Sequence, residues 1–289
     1  MGMESAVKLT CPAPAKLNLF LHVVGRRPDG YHLLQTVFRF IDLYDTLHFN
    51  LRDDGAVLRT QDLEGVPEDQ DLCVRAARLL QSETGCNLGV NIAIEKRIPM
   101  GGGLGGGSSD AATTLIALNR MWNLSLSRSH LMQLGLKLGA DVPVFVFGEN
   151  AFAEGVGEML QAYPVAEAWY VVLFPPVQVP TAQIFAHPEL TRDTLSITMR
   201  ALPKQQLWER QLRNDLQSVV CNLYPVVAQH IAWLDQFAKA MMTGSGASVF
   251  AQFANRSQAE EVLQQLPDGM RGMVAQGLAK HPLHDWMPD

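Results

Sequence analysis

The stretch Pro99-Met100-Gly101-Gly102-Gly103-Leu104-Gly105-Gly106-Gly107-Ser108-Ser109-Asp110-Ala111-Ala112 puts six glycines into the seven positions 101–107. Each glycine costs roughly 1 kcal/mol of backbone entropy relative to alanine in regular structure, so packing does not select such a run. What it permits is close approach of backbone to another group. The residues that follow, AATTLIALNRMW (111–122), have the composition of a helix, and Ser108, Ser109 and Asp110 mark its N-terminus. A helix N-terminus offers free N–H groups and the positive end of its dipole, and the two serines add hydroxyls for phosphate oxygens or Mg²⁺. The loop reads as an anion cradle. A flexible linker of this composition would not be bracketed by a patterned strand and helix.

Other phosphate loops fit less well. Gly101, Gly103 and Gly106 satisfy GxGxxG, but a dinucleotide fold wants that loop after its first strand, with an acidic residue about 20 positions on. Here the loop lies a third of the way along, and after Asp110, which adjoins the loop, the next acid is Asp141. No lysine follows the glycines, so the Walker pattern is absent, and there is no HRD or DFG of the protein kinases.

Upstream, Val90, Ile92 and Ile94 alternate with Asn91, Ala93 and Glu95 as in a half-buried strand, preceded by a helical pattern over 71–81. Further back, AKLNLFLHVV (15–24) predicts a strand, RRPDG (26–30) a turn, and Tyr31 to Leu43 a second apolar stretch. Downstream, a helix capped by Ser127 carries Leu131, Leu134 and Leu138 and stops at Gly139–Pro143, with Asp141 at the break. The PVAEA segment separates two differently patterned halves, which places a boundary near Pro164 and divides the chain into 1–163 and 164–289. The second half shows a strand (169–174) and helical patterns at 205–220 and 226–240. The turn Thr243-Gly244-Ser245-Gly246 then precedes a strand (248–253), a helix with a capping box at Ser257–Glu260 and a short strand near 273–275. The class expected is α+β.

Composition narrows the function. At 289 residues, 47% hydrophobic and 18% charged, the chain can bury a substantial core. A net charge of -6 with dispersed Lys and Arg argues against nucleic acid or an anionic membrane as partner. Cys11, Cys73, Cys86 and Cys221 are far apart and suggest neither disulfides nor a zinc site. The start has no signal-peptide core and the longest apolar run, 168–177, is too short to span a bilayer, so a cytoplasmic protein is expected.

Phosphoryl transfer needs charge stabilisation and a carboxylate that orients or deprotonates the acceptor hydroxyl. Asp141 is the candidate, although an aspartate at a helix break is more often a cap. Lys16 is its counterpart, a lysine in an otherwise apolar strand, where burial without a partner is costly. At ~4 Å such a pair is worth roughly 4 kcal/mol at an effective dielectric of 20. By itself Lys16 would fit an edge strand in solvent equally well, and TGSGAS (243–248) a plain hairpin turn.

Taken together, PAPAKLNLFL (12–21), the glycine loop, LGADVPVF (138–145) and TGSGASVF (243–250) resemble the ordered motifs of the GHMP small-molecule kinases. Within them, GRRPDGYHLLQTVF (25–38) and the doubled GGGLGGGSS are similar to the branch acting on 4-diphosphocytidyl-2-C-methyl-D-erythritol, in the non-mevalonate route to isoprenoid precursors. The resemblance implies a two-domain fold, an N-terminal S5-domain-2-like ATP-binding part and a C-terminal ferredoxin-like part, with the active site in the cleft between them. It implies ATP and Mg²⁺ as cofactors, Lys16 and Asp141 as the catalytic pair, and Pro99 to Ser109 as the phosphate loop. Ser108 would lie near the metal and Lys96 near the adenine. For the acceptor it implies Asn18 and Gly244, Tyr31 and Phe185 on the two faces of the cytosine, His32 at its edge and Thr181 at a substrate phosphate. One departure stands out: Asp71 falls where relatives are expected to carry Asn beside the nucleotide. The other is a longer start, expected to be disordered.

Overall fold

The structure, a computed structural model, describes residues 7–199 and 212–287. The longer start, as far as residue 6, and the part of the second-half helical pattern at 205–211 lie outside them. The chain opens with a long antiparallel hairpin, β1 (Lys8–Arg26) and β2 (His32–Arg52), folded over the RRPDG turn. There follow β3 (Val57–Arg59), α1 (Leu72–Thr84), β4 (Gly89–Glu95), α2 (Gly106–Met121), α3 (Arg128–Leu138) and α4 (Val142–Phe147). Next come β5 (Ala151–Glu154), β6 (Met159–Ala162), β7 (Trp169–Leu173), α5 (Thr181–Ala186), α6 (Gln217–Leu223) and α7 (Pro225–Leu234). The last elements are β8 (Ala240–Met242), β9 (Val249–Phe253), α8 (Arg256–Leu263) and β10 (Gly272–Leu278).

Among the described residues all ten strands share one sheet in the order β3-β4-β2-β10-β7-β9-β8, with β1 and β5 also on β2 and β6 beside β5. β10 joins the halves: it pairs with β2 through Gly277–Ile41 and Leu278–Phe40, and with β7 from Gly272 to Gln276. Helices α1 to α4 cover the first half over one core that includes Phe40, Phe49, Leu80, Ile92, Leu115 and Phe145. α2 is buried on every side from Ser109 to Asn119, which its Ala- and Thr-rich sequence allows. Beyond β10 the chain returns to that same core, where Leu283 and Met287 are buried.

Several boundaries differ from the sequence reading. Of the helical pattern at 205–220, the described residues 212–216 are not helical: α6 starts only at Gln217 and runs on to Leu223, because Asn214 Oδ1 accepts from Leu216 N–H and turns the chain there. α2 begins at Gly106 with Gly105 as its N-cap, ahead of the serines, because Gly105 adopts the left-handed conformation (φ +74°) that lets the turn close early. α7 ends at Leu234 and not at Ala240, where Asp235 Oδ1 accepts from the backbone N–H of Ala240 as the chain enters β8. α8 is capped by Asn255, whose Oδ1 accepts from Gln258 N–H, so Ser257 lies inside the helix.

Candidate active site

The two residue types that the sequence made conspicuous meet in one cleft of about 1070 Å³. β1 carries Lys16 and Asn18 on one face, two residues apart as the strand period requires. The segment is bracketed by irregularities in its pairing with β2, after Pro14 and after Asn18, where strand direction is re-aimed. Lys16 is buried, and its Nζ lies 3.2 Å from Asp141 Oδ2 and donates to Asn18 Oδ1 at 2.6 Å. Asn18 is held in turn: its Nδ2 donates to Thr36 Oγ1 at 3.0 Å and its backbone N–H to Thr243 Oγ1 at 2.9 Å. Asp141 occupies the N-cap position of α4 but makes no side-chain cap bond. Its side chain is 36% exposed toward the cleft, so it is neither a cap nor a core residue.

The glycine loop crosses directly above. Lys16 N–H donates to Leu104 O at 2.9 Å and Ser248 N–H to Gly102 O at 3.1 Å, which stitches the loop to both halves of the chain. Gly103, at φ +74°, has no room for a side chain, since a Cβ would stand 2.2 Å from Thr243 O. A Cβ on Gly105 would reach 2.9 Å from Phe145 Cζ and 3.1 Å from Lys16 Cε. The first helical hydrogen bond of α2 runs from Ser109 N–H to Gly105 O, leaving the amides of Gly106, Gly107 and Ser108 at the open end. Ser108 lines the cleft, and its hydroxyl has no hydrogen-bond partner among the described residues. Ser109 does not line it. One position further round the helix, it is fully buried with an unpartnered Oγ, so its hydroxyl is turned away from any phosphate.

Lys96 lines the cleft as expected, yet it is bound by two carboxylates that the sequence did not single out as its partners. Its Nζ donates to Asp45 Oδ2 and, at 2.7 Å, to Asp110 Oδ2. Asp45 Oδ1 also accepts from the backbone N–H groups of Arg97 and Ile98. Asp110 Oδ1 is buried with no partner among the described residues. Burial pushes the Asp110 carboxyl up to about 7 against the pull of Lys96, and the same two carboxylates hold Lys96 above the ordinary lysine range despite its burial. Asp71, the departure noted above, N-caps α1 by accepting from Cys73 N–H at 2.7 Å and pairs with Arg59 Nη1 at 2.9 Å. Its charge is matched within the protein.

At the other end of the cleft, Tyr31 stands exposed on the rim after the RRPDG turn. His32 is buried beside it, with its ring centroid 5.0 Å from that of Phe185. Thr181 Oγ1 is 2.7 Å from Ser245 Oγ, which links the start of α5 to the 243–246 turn, and Gly244 faces the cleft from that turn. Pro99 and Met100 form the lip on the loop side. Of the residues that the sequence nominated, all but Ser109 line this one cleft. The glycine signal led to the loop, but nothing local in the sequence pointed to Asp45, Arg59 or Arg192, which bonds to His32. Among the described residues no three His, Cys, Asp or Glu side chains gather to hold a metal, and no helix is long and apolar enough to cross a membrane.

A buried lysine paired with a cleft-exposed carboxylate beneath a glycine loop on a helix N-terminus, in the cleft of a mixed α+β fold, defines a small-molecule kinase of the GHMP type. Family models agree: residues 71–149 match the GHMP kinases N terminal domain and 198–272 the GHMP kinases C terminal domain. The chain is 59% identical over 287 residues to the 4-diphosphocytidyl-2-C-methyl-D-erythritol kinase of Nitrosospira multiformis, covering 98% of this chain and 96% of that one. It is 62% identical over 278 residues to the enzyme of the same name from Thiobacillus denitrificans, covering 96% and 98%. A crystal structure of 4-(cytidine 5'-diphospho)-2C-methyl-D-erythritol kinase superposes with a TM-score of 0.80 at 32% identity, over 93% of this chain and 99% of that one. The Methanococcus jannaschii mevalonate kinase shares the two-domain fold at a TM-score of 0.67 and 15% identity, over 96% and 100%. The chain belongs to the 4-diphosphocytidyl-2-C-methyl-D-erythritol kinase family.

Proposed function

We propose that this protein transfers the γ-phosphoryl group of ATP to the 2-hydroxyl of 4-diphosphocytidyl-2-C-methyl-D-erythritol, giving the 2-phosphate and ADP in the non-mevalonate route to isoprenoid precursors. The observation that carries the proposal is Asp141: a carboxylate with no cap bond, 3.2 Å from a buried lysine, between an anion cradle and an aromatic pocket. The amides at the start of α2 hold the ATP phosphates, with Lys96 on the adenine side. Asn18 and Gly244 line the acceptor's path, Thr181 meets its phosphate, and the base lies between Tyr31 and Phe185 with His32 at its edge. Asp141 orients the acceptor hydroxyl and takes its proton as the oxygen bonds to the γ-phosphorus and the bond to ADP breaks. Lys16 faces the same oxygen and offsets the charge that develops on it.

The free hydroxyl of Ser108 and the ATP phosphates suit a magnesium ion, which takes few protein ligands when phosphates supply the rest and which neutralises phosphate charge when bound. The test is ATP consumption by the purified protein with Mg²⁺, comparing 4-diphosphocytidyl-2-C-methyl-D-erythritol with homoserine, mevalonate and galactose. Turnover with the first alone is expected. Turnover with another alcohol instead would discard the cytidine pocket and keep the kinase, and none with any of the four would refute the assignment.

A further inference from the structure

Arg192 lies in the segment after α5 and spends four hydrogen bonds on the base-pocket wall. Its Nη1 donates to Leu190 O at 3.0 Å, its Nη2 to Phe185 O at 3.0 Å and to His187 O at 2.7 Å, and its Nε to His32 Nε2 at 3.1 Å. The segment is itself anchored to β1: Thr194 N–H donates to Val23 O at 3.1 Å. Asp215 Oδ2 then accepts from both Thr194 Oγ1 at 2.7 Å and Val23 N–H at 2.8 Å. The guanidinium therefore reaches His32 from a fixed base, and no carboxylate pairs with it among the described residues.

A guanidinium has donors only, so the ring nitrogen facing it must be bare. A protonated imidazolium would set N–H against N–H there. Burial, with Arg192 and Arg26 as the charged groups facing the ring, lowers the His32 pKa from its ordinary value, which keeps the ring neutral as well. The proton of a neutral ring then sits on Nδ1, which has no protein partner among the described residues, on a side chain that lines the cleft.

We infer that Arg192 is a positioning and specificity-determining residue: it locks His32 in the Nδ1–H form, so that the pocket offers one fixed donor to a bare pyrimidine nitrogen. This rests on the cytidine reading above. Cytosine presents an unprotonated N3 to such a donor, whereas the N3 of uracil carries a hydrogen and meets it donor to donor, a mismatch that leaves buried groups unpaired.

The first readout needs no substrate. Ring ¹⁵N NMR of His32 in the full-length protein is expected to show a bare Nε2 and a protonated Nδ1, a tautomer mixture in Arg192→Met, and restored Nδ1–H in Arg192→Lys, which keeps a donor. The second is kinetic. Arg192→Met is expected to raise KM for the cytidine substrate about tenfold with kcat falling far less, the size of one net hydrogen bond, and to narrow the preference over the uridine analogue. Protonated Nε2 in the wild type, or an unchanged tautomer in Arg192→Met, would overturn the inference. If the variant does not fold, the wild-type tautomer still decides. Equal use of cytidine and uridine substrates with the predicted tautomer would refute the pocket assignment instead, so the two failures are distinguishable.

Discussion

Replacing Asp110 by Asn removes a buried charge without changing the shape of the side chain, and its effect on stability should depend on pH. Asp110 and Asp45 share the single ammonium of Lys96, and Asp110 Oδ1 has no donor among the described residues. In the fold its carboxyl is pushed from the ordinary 3.8 up to about 7. Between these values the native protein binds a proton that the unfolded chain has released, so stability falls as pH rises through the window and the full penalty is present above it. Below about pH 4 both states are protonated and no penalty exists. Each unit is worth 1.36 kcal/mol, so the penalty at pH 8 is about 4 kcal/mol at most. Lys96, whose pKa is raised, stays charged throughout and does not contribute to this window. Urea denaturation of the nucleotide-free protein and of Asp110→Asn, at pH 5 and pH 8, measures it. The variant's advantage over the wild type should grow by about 2–3 kcal/mol from pH 5, where about 1.5 kcal/mol of the penalty is already present, to pH 8. An advantage of the same size at both pH values would refute the argument.

Other perturbations test other parts. Asp141→Asn should lower kcat by about 10²- to 10⁴-fold while ATP binding by calorimetry stays near wild type; loss of ATP binding in a folded variant would remove Asp141 from its role. Arg59→Leu leaves the Asp71 carboxylate buried and unpaired and should cost about 3–5 kcal/mol in denaturant unfolding, most of it recovered in the double variant with Asp71→Asn. Failure of the second change to rescue the first would mean that the pair does not set the cost. Phe185→Ala should raise KM for the cytidine substrate more than KM for ATP, and the reverse order would place the base elsewhere.

What could be read from the sequence was whatever has a local cost. Six crowded glycines, a lysine in an apolar strand and an aspartate after a helix-stopping glycine each break a local rule, and all of them line the cleft. The hairpin, the strand before the loop and the helix after it were equally legible from period and turn chemistry. Less so were partners set by tertiary packing. Asp45 reads as an ordinary strand residue, Arg59 as a loop-edge charge, and Arg192 as part of an undistinguished segment. Nothing within ten residues of any of them says that it meets Lys96, Asp71 or His32. Helix ends went the same way: Asn255 and Ser257 are both competent caps, and only the observed turn chooses between them.

The loop containing Gly103 and the turn containing Gly244 are packed backbone on backbone: a Cβ on the first would strike Thr243 O, and one on the second would stand 2.9 Å from Gly103 O. For an evolving lineage these two positions, drawn from opposite halves of the gene, form a single heritable unit. A larger residue at either cannot be accommodated by shrinking the other, because the other is already glycine. Compensating change is closed to both, and homologous recombination between relatives can exchange the halves freely only so long as each parent brings its own glycine to the contact.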